Sequence, residues 1–310
     1  MSQQLSTNGK ANYLAPGDLI EVRSLAEILT TLDDKGTLDK LPFMPEMIAY
    51  CGKQFQVSRV AFKTCVDDGD MRELPDTVLL QEVRCNGASH NDCDRGCLIF
   101  WKTAWLKKPE APPLNCAVPT LTEADLVSLA RNGDQFYCQS SEIVNASTPL
   151  PWWQPRQYLW DIKYNRVSTL LFTRAFLIAV YNKFAYHLKL NSWRAVTGSA
   201  SMSNGHGRLN LRPGELVRVK PLREIKATLD AEGKHQKMLF APSMAGFCGQ
   251  VMKVRDRVEN IVLEATPRQR KLKDTVVLDG ATCDGVCHRL CPRQSLLFWR
   301  ECWLERVEES

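Results

Sequence analysis

The chain is written twice, and each copy carries its own cluster of thiols. The stretch PGDLIEVRSLAEILTTLDDKG, from Pro16, returns from Pro213 as PGELVRVKPLREIKATLDAEG. RELPDTVLLQEVRCNGASHNDCDRGCLIFWKTAWL, from Arg72, returns from Arg270 as RKLKDTVVLDGATCDGVCHRLCPRQSLLFWRECWL. From Pro16 to Val60 about two positions in five are identical to the residue 197 further on, which is internal repetition and not chance. Between Val57 and Arg72 the second copy gains one residue, which a hairpin tip tolerates. A repeat of this kind within 310 residues demands two small domains, each with its own core.

Each copy opens with Pro-Gly and an alternating run in which Ile20 and Val22, or Val217 and Val219, face one side, the pattern of a half-buried strand. Ser24 and Glu27 form a capping box ahead of Leu25, Ile28, Leu29 and Leu32, so a short helix follows and stops near Gly36. In the second copy Pro221 stands in the serine's place, while Leu222, Ile225 and Leu229 keep the apolar face. Further strands are expected at 55–57, 77–80 and 98–105, with counterparts at 252–254, 275–278 and 296–303. The resulting fold class is mixed and mainly β: tandem small barrels, each with a short helix, joined by a helical middle segment. The expected division is a flexible 1–15, a first Cys-rich barrel over 16–110, a helical connector over 111–196, a linker over 197–212 rich in Gly, Ser and Asn, and a second Cys-rich barrel over 213–310.

Cys85, Cys93 and Cys97 share one polar loop with His90; Cys283, Cys287 and Cys291 share its repeat with His288. Aligning the copies pairs Cys85 with Cys283, Cys93 with Cys291 and His90 with His288, whereas Cys97 faces Ser295 and Cys287 faces Ser89. One thiol has changed place without changing the number, as a metal with a fixed donor count requires and packing does not. Cys51 and Cys248, each in an aromatic-Cys-Gly turn, are the expected fourth donors. The ligand sets are therefore Cys51, Cys85, Cys93 and Cys97, and Cys248, Cys283, Cys287 and Cys291, with His90, His288 and Cys65 as competitors. Two zinc ions are expected, with iron–sulfur clusters as the alternative, since these also take four thiolates at irregular spacing.

A net charge of +5 is mild, and the basic tip at Arg268, Arg270, Lys271 and Lys273 faces an acidic Asp67, Asp68, Asp70 and Glu73 in the other copy, so nucleic acid is not the expected partner. Trp101, Trp105, Trp299 and Trp303 read as core. No Walker A, GxGxxG, HExxH or GxSxG motif occurs, and no Ser-His-Asp or Cys-His nucleophile set can be picked out. The apolar stretch 167–190 is broken by Arg174, Asn182, Lys183 and His187, too short a run to span a bilayer; it reads as a helix against the barrels or on a membrane surface. The N-terminus lacks the pattern of a secretory signal, so a cytoplasmic, reducing setting is expected, in which cysteines bind metal or stay reduced.

The Pro-Gly-[Asp/Glu]-Leu-[Ile/Val] opening and the Asp-Thr-Val-x-Leu strand resemble those of SH3-like small barrels. The duplicated layout as a whole, with Trp153-Gln-Pro155-Arg-Gln-Tyr158 in the middle, resembles an uncharacterised family of bacterial proteins built from the same two Cys-rich halves. That resemblance implies a bacterial cytoplasmic protein and transfers no activity. The function expected is a metal-thiolate-stabilised tandem barrel that binds a protein or peptide partner, the alternative being a metalloenzyme with a redox cluster or an open zinc site.

Overall fold

The computed structural model describes residues 14–67, 69–114, 119–188, 190, 192, 195–200 and 208–307. Residues 1–13 and 201–207 of the expected N-terminal stretch and linker lie outside these. Two five-stranded antiparallel sheets, each curled into a half-barrel, form the body. In the first the spatial order is Leu98–Lys102, Thr77–Arg84, Gln54–Val60, Leu19–Val22 and Leu106–Lys107. The second repeats it with Leu296–Arg300, Thr275–Thr282, Val251–Arg257, Leu216–Val219 and Leu304–Arg306. Even the irregularities recur: the register shifts between Val57 and Arg59 and again between Val254 and Asp256, and between Leu79 and Arg84 as between Val277 and Thr282. A bulge bends a strand where a sheet must curl, and its preservation shows that the duplicated sequence encodes one curvature twice.

The helix α1, Leu25–Leu29, starts where the capping box places it: the Ser24 hydroxyl accepts from the Glu27 amide and the Glu27 carboxylate accepts from the Ser24 amide. Each copy closes over a tryptophan pair. Trp101 and Trp105, like Trp299 and Trp303, are fully buried. The expected single strand carrying both members is corrected: the strand ends at Lys102, and Trp105 enters the core from the 3-10 turn Thr103–Trp105, as Trp303 does from Glu301–Trp303. That turn lets the Trp105 indole donate to the Thr31 hydroxyl at 3.1 Å, and Trp303 to the equivalent Thr228 at 3.0 Å. A buried indole N–H without such a partner costs stability.

The inserted residue of the second copy falls at a hairpin tip. Lys63–Cys65 pairs with Met71–Glu73 in the first copy and Asn260–Val262 with Gln269–Lys271 in the second, so the difference in length falls between the paired strands of each hairpin.

The segment joining the repeats is mixed, not purely helical. It contains α2 (Glu123–Leu129), α3 (Arg156–Lys163) and α4 (Thr169–His187), but also the pair Arg131–Asn132 with Gln135–Phe136, and Thr148–Pro149, which extends the first hairpin. Leu126, Cys138, Ile143 and Ala146 pack into the first core. The second core reaches upstream of Pro213 to Val196 and Leu211. There the Glu301 carboxylate accepts from the amides of Leu209, Asn210 and Leu211 and pairs with Arg257 at 2.9 Å. α5, Leu222–Lys226, repeats α1 with Pro221 at its cap.

The two repeats interlock by exchanging loops. Loop 85–97 of the first lies on the second repeat's hairpin: Asp94 accepts from the amides of Glu259 and Asn260, and Arg95 donates to the Val262 carbonyl. Reciprocally, Arg293 in the second repeat's loop donates to the Cys65 carbonyl, and Lys63 to the Arg289 carbonyl. Cys65 and Val262 are equivalent positions, as are Arg95 and Arg293, so the interface is approximately twofold.

Candidate metal centre

The site begins with a proline. Pro45 opens the 3-10 helix Pro45–Tyr50, and the tight winding turns Glu46 inward over the thiol loop. Gly87, at φ 72°, lets that loop fold back so closely that a Cβ there would lie 2.2 Å from the Cys93 carbonyl oxygen. His90 follows on the short turn Ala88–His90. As a result His90 Nδ1 stands 2.8 Å from Glu46 Oε1, which also accepts from the Ser89 amide at 2.9 Å.

Glu46, Cys85 and His90 offer one ligand atom each, all within 4.8 Å of one another. Among the described residues, this is the group of three or more potential metal ligands that the fold assembles. Glu46 and His90 are almost wholly shielded from solvent, and Glu46 Oε2 is buried with no hydrogen-bond partner among the described residues. A buried carboxylate oxygen left unsatisfied is costly, and a cation is one of the few groups that satisfies it.

Cys85 and His90 open onto a cavity of about 30 Å³, lined also by Cys93, Cys97, Cys138 and Arg95 and bounded from the second repeat by Val262 and Arg293, whereas Glu46 is not on its wall. That is space enough for an ion together with a water. Burial pushes the Cys85 thiol up, and the charges of Glu46 and Cys97 push it further. Cys93 is also raised by burial, although the amides of Val262 and Arg95 hydrogen-bond to its sulfur. Cys138 is raised to about 11 by burial. For Glu46 burial acts upward, but the hydrogen bond and charge of His90 prevail and hold the carboxyl below its ordinary range. The site thus brings the Glu46 anion beside His90, the Arg95 and Arg293 cations on the cavity wall, and thiols that burial keeps neutral and that a divalent cation would convert to thiolates.

The expected sets of four thiols are only partly brought together. Cys85, Cys93 and Cys97 do gather round one cavity, but Cys51 does not line it. Its sulfur points back to the Met47 carbonyl, 4.0 Å away, because the turn that carries it is spent on closing the sheet, Gly52 donating to Val22. The competitor His90 does line it, beside Cys85. In the second repeat Cys248, Cys283, Cys287 and Cys291 come together in no such group among the described residues. Ser243 replaces Glu46 there and hydrogen-bonds Cys283, while His288 turns against Gly69 of the first repeat and is depressed by burial. Glu46 is not legible as a site residue from the chain alone; its one available signal is the Pro-Glu step at a helix start, which is common on surfaces.

Cys291 has a different partner from the one expected. Its sulfur lies 3.1 Å from that of Cys65 and accepts from the Cys65 amide at 3.2 Å, the same contact that Val262 makes to Cys93 in the other half. Burial opposes charge on Cys291, but the Cys65 thiol, the amides of Arg293 and Cys65 and the Arg293 charge draw it below the ordinary thiol range, while Cys65 is pushed up. Two sulfurs in contact, one biased toward thiolate, are poised for disulfide formation. Treatment with diamide, which accepts the two electrons and two protons released, is expected to remove two free thiols and give a peptide linked through Cys65 and Cys291. Recovery of only unlinked peptides by mass mapping would refute this contact.

Neither a protein-family model, nor a curated protein, nor a solved structure matches the chain.

Proposed function

We propose that this is a zinc-stapled tandem-barrel protein, of SH3-like type in each half, whose metal fixes the interlocked loops and whose helical segment faces a partner. The observation that carries the metal is the unsatisfied, buried Glu46 oxygen beside Cys85 and His90. Carboxylate, imidazole and thiolate together suit zinc, whereas iron–sulfur clusters are held almost entirely by thiolates. Cys93 and Cys97 line the same cavity and are the candidates for the fourth position. A three-donor set can leave a place for water, as in catalytic zinc sites, but Val262 and Arg293 of the second repeat and thiols of the loop crowd the cavity wall, which favours a structural ion over a hydrolytic one. One ion per chain is proposed.

Elemental analysis of the purified protein tests this. Wild type is expected to hold one equivalent of zinc and to be colourless, and Cys85→Ser to hold none. A brown protein with visible absorption would instead support the redox alternative. A metal-free wild type whose fold is indifferent to chelator would remove the basis of the reading.

A further inference from the structure

α4 is apolar on nearly every side, and a helix of that composition is normally enclosed. Here only one stripe is: Ala175 and Ile178 pack on Val286 and Leu290 of the second repeat. A separate stripe, at the 3- and 4-residue spacing of a single helical face, is open to solvent. It consists of Leu170, Arg174, Leu177, Tyr181, Phe184 and Leu188, with Leu170 82 %, Leu177 61 %, Phe184 64 % and Leu188 66 % exposed. α3, locked to α4 by Tyr158 against Phe172 and Phe176, adds exposed Leu159, and Trp153 stands out just before it. So much large apolar surface marks an interaction site.

Charge decides which one. From Ile162 to Gly214 the sequence contains no Asp or Glu, yet it contains Lys163, Arg166, Arg174, Lys183, Lys189, Arg194, Arg208 and Arg212. A second copy docked through the same helix would set this acid-free stretch against itself, with no carboxylate of α4 to meet Arg174. Crossing a bilayer is not its use either, since no helix among the described residues is long and apolar enough. Leucine and aromatic side chains on a helix, tryptophan nearby and basic residues with no acidic one along the helix are the composition of a helix that lies in the headgroup layer of an anionic membrane.

We propose that the α3–α4 face docks on an anionic lipid surface, with the Leu170, Leu177, Phe184 and Leu188 side chains entering the acyl boundary and Arg166 and Arg174 meeting headgroup phosphates or carboxylates. This rests on the part of the functional reading that gives the helices to a partner and is independent of the metal.

Sedimentation with vesicles tests it. Full-length protein is expected to pellet with phosphatidylcholine vesicles containing about one-third phosphatidylglycerol, and roughly tenfold less with phosphatidylcholine alone. Leu177→Glu with Phe184→Glu should lower the anionic partition at least about tenfold. Arg166→Glu with Arg174→Glu should erase the preference for anionic vesicles. These side chains are exposed, so circular dichroism should be unchanged. Absence of binding to anionic vesicles, equal binding to both compositions, or a solution dimer dispersed by Leu177→Glu without vesicle binding would each overturn the proposal. Zinc content measured on the same samples keeps the two readings apart: a metal-free wild type that still pellets leaves this one standing.

Discussion

Replacing Asp161 with alanine is expected to cost the fold about 3–5 kcal/mol, because it strands the Lys63 ammonium in the interior. Lys63 and Asp161 are both enclosed, their charged ends are 2.6 Å apart, and Lys63 Nζ also donates to the Arg289 carbonyl of the second repeat at 2.6 Å. Burial depresses the lysine and lifts the Asp161 carboxyl to about 6 in spite of the lysine beside it. Desolvation therefore rivals the attraction, and the pair is worth far less than the loss of one member suggests. Lys63→Met combined with Asp161→Ala should accordingly recover most of the loss, which a double-mutant cycle by urea unfolding measures. If the single aspartate variant loses less than about 1 kcal/mol, water reaches the lysine and the interface is looser than described.

Much of this architecture is legible in the residues, and what is not has a physical reason. The alternation around Ile20 and Val22, the Ser24 and Glu27 box and the recurring tryptophans are local signals, and local geometry fulfils them. The exchange of loops is not local. That Cys291 meets Cys65 while Cys93 meets the Val262 amide follows from how two curled sheets pack, and no spacing in the chain encodes it. Cysteine count pointed to a metal, but identity of residue type could not separate Cys51, turned toward Met47, from Cys93, turned into the cavity. Glu46 escaped notice for the complementary reason: glutamate is usually solvated, and only the turn at Pro45 buries it.

Chelating the proposed metal is the second change with a large expected effect, and its advantage over mutation is that it leaves the protein's own contacts in place. His90→Ala would destabilise the chain whether or not zinc is present, since the Glu46 carboxylate would lose the imidazole 2.8 Å away and stay buried. Withdrawal of zinc keeps that pair intact, so any fall in stability belongs to the ion. With free zinc about a thousandfold above its dissociation constant, binding to the folded state alone adds ~4 kcal/mol, and an excess of chelator should remove it, seen as a lower urea midpoint with unchanged slope. Cys51→Ser supplies the discriminating control. If the ion sits among Glu46, Cys85 and His90, this variant keeps both its zinc and its response to chelator, while Cys85→Ser loses both. If instead Cys51→Ser sheds zinc as fully as Cys85→Ser does, the four-thiol set holds the ion, and the Glu46–His90 pair is an ordinary buried contact.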